Sequence, residues 1–379
     1  MSSRRNTGHD LSDVELRALL QLRMLHVPDD ATLQELLPKK SPTEIVAEFC
    51  SHALSHPIET RIERALHELR RSHTRVIVAG DAAYPKSLYA LGVLRPPVLF
   101  CRGHTDLLQS NSVAIVGTRR STEYGNAAAE MLAHDLAGRG ITIISGLALG
   151  IDTYAHRGAL AAGGNTIATL GCGIDVYYPQ RNMTLQDRIA DEGLLISEFA
   201  PGAPAMKHHF RQRNRLIAVL ARAVVVVEAG RKSGTNNTVE WATRYNVDVF
   251  AVPGPIGREA SVGTNELLRD GAGMVTSSID LLQQLPWAMH ANDTATTDPP
   301  AAVPLDGARA RVYGKLGPMG QQIDQIARAA GLDTATTLAL LAELELDGLV
   351  RQIAGKRFVR AELRTRTGQK GNYRKAPDP

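Results

Sequence analysis

Across residues 75–275, short apolar runs alternate with helix-length amphipathic stretches, and this rhythm constrains the chain more than any other feature. The runs fall at 76–78, 113–116, 141–144, 166–170, 194–196, 224–227, 249–252 and 274–275. Several are apolar at every position. A strand buried on one face alternates in polarity, whereas one covered on both faces does not. Strand–helix–strand repetition therefore predicts an α/β fold with an extended, Rossmann-like, doubly wound parallel sheet. Such sheets bind ligands beyond the carboxyl ends of their strands.

The flanking segments have a different texture. Residues 1–74 read as a helical domain. Leu16, Leu19, Leu20 and Met24 recur at helical spacing behind Ser12 and Asp13, either of which can cap. The core then spans 75–290. Residues 291–305, ANDTATTDPPAAVPL, have the composition of a linker. Residues 306–362 fit three helices and a hairpin around Gly355, the order of a winged-helix domain. Residues 363–379 carry Arg364, Arg366, Lys370, Arg374 and Lys375 and read as a basic tail.

Three successive core strands end in glycine-bearing turns. The first is Gly117-Thr118-Arg119-Arg120-Ser121, the second begins Ser145-Gly146 and the third begins Gly171. Glycine at a strand end admits a close backbone or phosphate, and the following helix points its positive end at an anion. Aligned on one edge, the turns make a groove suited to an extended phosphate chain. Asp152, Asp175 and His156 also fall there, and capping explains them better than catalysis does.

The segment 199–227 contains no Asp or Glu. It holds Lys207-His208-His209-Phe210-Arg211-Gln212-Arg213-Asn214-Arg215, read as a basic loop around one ring. Cations that hold phosphates beside a ring that stacks a base suit a single-stranded nucleic acid. Core packing of Phe210 with solvated arginines is the plainer alternative, and Arg213 and Arg215 could serve the fold. Only 4% of the chain is aromatic, so any stacking rests on one or two rings. The net charge of +4 is compatible with a polyanionic partner, but the local clustering is what points to one.

Other classes lose support. Cys50, Cys101 and Cys172 are scattered, so neither a zinc site nor a disulfide framework is indicated. No GxGxxG or GxxxxGK[ST] motif occurs, and no cofactor is expected. No apolar run approaches the roughly 18 residues of a membrane span, and no secretory signal is visible, so a cytoplasmic protein is expected. No nucleophile, base and orienter assemble, so an enzyme is not expected.

Many further residues, in order from Gly80 to Ser278, resemble the DNA-processing protein A (DprA/Smf) family. They include Tyr84-Pro85, Ser145-Gly146-Leu147-Ala148 with Gly150-Ile151-Asp152, Tyr178-Pro179, Phe210-Arg211 with Arg213-Asn214-Arg215, and Gly263-Thr264-Asn265. The resemblance implies a homodimer that binds single-stranded DNA and hands it to the RecA recombinase during natural transformation. It implies DNA contacts at Arg119, Lys207 and Phe210. The expected site is Gly117, Thr118, Arg119, Ser145, Gly146, Gly171, Lys207, Phe210, Arg211, Arg213 and Arg215.

The chain also departs from the family pattern. Val239-Glu240 stands where alanine is usual, and Phe210-Arg211 where Phe-Pro is frequent. Helix 334–346 of the winged-helix segment lacks Lys and Arg and carries Glu343 and Glu345. Only the wing is basic, with Arg351, Lys356, Arg357 and Arg360. An acidic helix repels phosphate, which favours protein docking or wing-only contact there. The alternative function is a Rossmann-like nucleotide phosphoribohydrolase, because Gly234-Thr235 followed by Glu240 is similar to the Gly-Thr-x-x-Glu signature of those enzymes.

Overall fold

The computed structural model describes residues 11–50, 53–231, 233–285, 287–288, 307–316, 321–347, 349–353 and 357–360. The chain divides into two compact units, Met1–Ala295 and Thr296–Pro379. The linker expected at 291–305, the basic tail at 363–379 and wing residue Lys356 lie outside the described residues.

The first unit opens with helices α1 (Asp13–Leu25), α2 (Asp30–Leu36), α3 (Pro42–Phe49) and α4 (His56–Arg71). Ser12 and Ser41 each form a reciprocal capping box, with Glu15 and Glu44. Then come β1 (Arg75–Val78), β2 (Val98–Gly103), β3 (Ser112–Val116), α5 (Glu123–Ala137), β4 (Thr142–Ser145), α6 (Ile151–Ala161) and β5 (Thr166–Thr169). The unit continues through α7 (Met183–Glu192), β6 (Leu194–Ser197), α8 (Lys207–Leu220), β7 (Ala223–Val226) and α9 (Thr235–Arg244). It ends with β8 (Asp248–Ala251), α10 (Glu259–Arg269), β9 (Gly273–Met274) and α11 (Ser278–Gln283).

The nine strands form one sheet in the order β1-β2-β6-β5-β4-β3-β7-β8-β9. Strands β3 to β9 pair in parallel. Only β2 against β6 and β1 against β2 are antiparallel. The unbroken apolar runs have the expected cause. In β3, Val113 and Ile115 face a cluster with Leu132 and Leu136 of α5, while Ala114 and Val116 face Leu216 and Ile217 of α8. The N-terminal helices cover the β1–β2–β6 end, where Leu20, Ile45 and Leu66 share a core with Val98, Phe100 and Leu195.

After β6 the chain crosses back to lay β7 beside β3, so the winding direction reverses there. Helix α8 precedes β7, and this brings its first residues to the carboxyl edge of the sheet. The loops after β3, β4 and β5 lie on that same edge.

The second unit contains α12 (Gly307–Lys315), β10 (Gln321–Gln322), α13 (Ile323–Ala330), α14 (Thr334–Leu346), β11 (Val350–Ile353) and β12 (Arg357–Arg360). The strands pair β10-β12-β11, giving the expected winged-helix arrangement with one short strand the sequence did not announce. Val312, Ile326, Leu341, Leu344 and Phe358 fill its core. Arg309 pairs with Glu343 at 3.8 Å and with Asp347, which offsets part of the acidity of α14.

Candidate nucleic-acid interface

The loops after β3, β4 and β5, the start of α8 and the start of α9 enclose an open groove of about 800 Å³. Gly117, Thr118 and Arg119 line it, as do Lys207, Phe210, Arg211 and Arg213. A smaller apolar pocket beside it is bounded by Gly146, Gly171, Tyr178 and the same Arg119 and Phe210.

The β3 loop is held from within. A side chain at Gly117 would put a Cβ 2.5 Å from Ile151 and 2.8 Å from the Glu228 carbonyl, so only glycine fits. The Thr118 amide donates to the Glu228 carbonyl at 2.8 Å. The buried Glu228 carboxylate accepts from the Thr122 amide at 2.9 Å and the Thr122 hydroxyl at 2.6 Å. It therefore occupies the anion position at the head of α5. The β4 loop repeats this arrangement. Asp152, in the first turn of α6, accepts from the amides of Gly146 at 3.1 Å and Ala148 at 3.3 Å. Burial pushes its carboxyl pKa up, and the Arg213 guanidinium opposes that shift.

The protein's own carboxylates thus take up the Thr122 amide at the head of α5 and the Gly146 and Ala148 amides of the β4 loop. Side-chain cations add attraction for an anion. Arg119, Arg120, Lys207 and Arg211 are exposed, and none forms an ion pair among the described residues.

Phe210 is half-buried at the groove wall. Its ring rests on Gly171, where a Cβ would stand 2.5 Å from Cδ1. The Arg119 guanidinium lies 5.3 Å from the ring centroid, within cation–π range. Tyr178 approaches from another side, with centroids 5.1 Å apart and planes inclined by 33°. Tyr178 is 40% exposed. It is a second ring at the site, absent from the expected set. Its only signal in the sequence was the Tyr178-Pro179 pair that follows the third turn.

Other members of the expected set are largely buried. The basic segment is the opening of helix α8, not a loop. Arg215 is 5% exposed and grips Glu198 at 2.5 and 2.6 Å, with its Nε donating to the Leu94 carbonyl at 2.9 Å. It ties α8 to the chain just after β6 and is not among the residues lining the groove. Ser145 is fully buried, and its hydroxyl donates to the Ile115 carbonyl at 2.7 Å. Arg213 lines the groove but is only 3% exposed. It donates to the carbonyls of Gly146, at 2.9 Å, and Thr169, so it braces two of the three loops. Burial lowers its pKa to about 10.

The other titratable residues hold the fold. Asp175 accepts from the Gly202 amide at 2.8 Å. His156 is fully buried against the Thr166 hydroxyl at 2.7 Å, and burial lowers its pKa to about 3. His209 stacks on Phe199 at 4.0 Å. No group of His, Cys, Asp or Glu among the described residues could hold a metal ion. No helix among them is long and apolar enough to cross a membrane.

Comparison with known proteins gives a consistent result. Residues 75–286 match the family model for DNA recombination-mediator protein A, and residues 296–356 match the DprA winged helix domain. The Protein Smf of Escherichia coli is 35% identical over 310 residues, covering 80% of this chain and 81% of that protein. The X-ray structure of DNA processing protein A from Streptococcus pneumoniae is similar with a TM-score of 0.58 at 32% identity, covering 73% of this chain and 99% of that one. A Helicobacter pylori DNA processing protein A structure, described for its single-stranded DNA binding mode, matches with a TM-score of 0.51 at 34% identity, covering 56% and 95%. The family model alone spans more than half the chain, and with these relatives it identifies the chain as a member of the DNA recombination-mediator protein A family.

Proposed function

We propose that the groove binds single-stranded DNA without catalysis, and that the protein passes the bound strand to the RecA recombinase during transformation. One observation carries the reading: unpaired Arg119, Lys207 and Arg211 share one groove with a half-buried ring. Exposed cations attract a polyanion through released counterions, and a ring stacks any base. Strands with unstacked bases fit this combination better than a duplex, whose bases are hidden. Arg119, Lys207, Phe210 and Arg211 make the contacts, with Gly117, Thr118, Gly146 and Gly171 giving the strand room. Homodimerisation and a cytoplasmic location belong to the same proposal.

The test is a salt titration of single- and double-stranded DNA binding by the full chain. Tighter binding of the single strand, with log affinity falling linearly against log salt, is expected. Unchanged affinity in an Arg119→Ala/Lys207→Ala double variant overturns the site.

A further inference from the structure

The groove has two chemically different walls. One carries the cations Arg119, Lys207 and Arg211. The other is the opening of helix α9, where Asn236, Asn237 and Glu240 line the groove. Positions 236 and 240, and 237 and 240, are spaced to share one helix face. Arg244, one turn beyond Glu240, lies over Trp241 instead, 5.6 Å from the ring centroid.

Glu240 is exposed and its side chain makes neither an ion pair nor a hydrogen bond among the described residues, although cations line the same groove. A free carboxylate beside a polyanion repels it. It becomes favourable only opposite a hydrogen-bond donor. The asparagines add neutral polar groups. The Asn236 amide donates to the Arg231 carbonyl at 3.0 Å, and the Asn237 carbonyl oxygen faces the Asn214 amide at 3.4 Å. These bonds hold both side chains in place and leave the Asn236 oxygen and the Asn237 amide for a ligand.

We infer that α9 is the base-reading wall of the groove, with Glu240 as its specificity-determining residue. This rests on the proposed binding of single-stranded DNA. Phosphates track the cationic wall and base edges turn toward α9. A carboxylate accepts two hydrogen bonds side by side. Among the bases, the Watson–Crick edge of guanine offers that pattern through N1–H and the 2-amino group. Thymine flanks its one N–H with two carbonyl oxygens and is disfavoured. Single strands expose these edges for reading.

The test uses the full chain at fixed salt, with oligo(dT) and equal-length strands carrying isolated guanines. Guanine-bearing strands bind roughly tenfold more tightly, the scale of one good base contact. Replacing guanine by hypoxanthine, which lacks the 2-amino group, removes most of the gain. Glu240→Gln and Glu240→Ala abolish the preference, and Glu240→Ala tightens oligo(dT) by removing repulsion. Equal affinities for all strands, or one uniform shift in both variants, overturn base reading and leave single-strand binding intact. Failure of every strand to bind overturns the underlying proposal and this inference together.

Discussion

The guanidinium of Arg119 sits 5.3 Å from the centre of the Phe210 ring, so a cation and a stacking surface share one spot on the sheet edge. A base that stacks on Phe210 meets a phosphate-seeking group within reach. Arg119→Ala and Lys207→Ala should each weaken single-strand binding and flatten its salt dependence. The log–log slope should shrink by about 0.7 for each phosphate that is no longer neutralised. Filter binding across a salt series measures both, and thermal melting should be unaffected because both side chains are exposed.

Phe210→Ala should cost about 1–3 kcal/mol of binding, the range for one stacked base. Tyr178→Ala should weaken binding in the same direction. Phe210→Leu keeps bulk against Gly171 and separates packing from stacking. If it binds as tightly as the parent chain, the ring is a filler and not a platform.

Glu198 and Arg215 form a buried, bidentate pair. Removing one partner strands a charge, so Glu198→Gln and Arg215→Met should each destabilise the fold by about 3–5 kcal/mol. Replacing both together should recover much of that stability. Chemical denaturation of the single and double variants measures the coupling.

His156 gives the fold an acid-sensitive component. Its native pKa is lowered to about 3 from 6.5 because burial disfavours the charged ring. Between those values the unfolded chain takes up a proton that the native chain refuses. Stability from this group is therefore complete above pH 6.5 and falls as pH drops, by about 1.4 kcal/mol per pH unit. Denaturation midpoints from pH 7 to pH 4 should show this slope, and His156→Gln should reduce it.

Much of the fold was legible because several of its strands are short and apolar on both faces, as a doubly covered sheet requires. Strand β2 escaped because it follows Pro96-Pro97 and ends in Arg102-Gly103, which reads as loop. Strand β10 is two glutamines recognisable only through pairing with β12. The start of α8 was hidden because Met206 at its N-cap offers no side-chain bond to mark the boundary. At the site, the Gly117 turn and the Lys207–Phe210 cluster stood out through local composition. The inward turn of Arg215 did not, since its partner lies across the fold beside β6. Tyr178 joins Phe210 only because tertiary structure brings the β5 loop against α8.

The carboxylates of Asp152 and Glu228 have a consequence for life among small metabolites. A cell is crowded with orthophosphate and mononucleotides, and an open amide cradle would be clogged by them. By closing the amides of these two loops internally, the chain leaves more of the attraction to exposed side-chain charges, each of which a short anion engages weakly. A long strand would engage many such charges at once, so valence favours polymer over monomer.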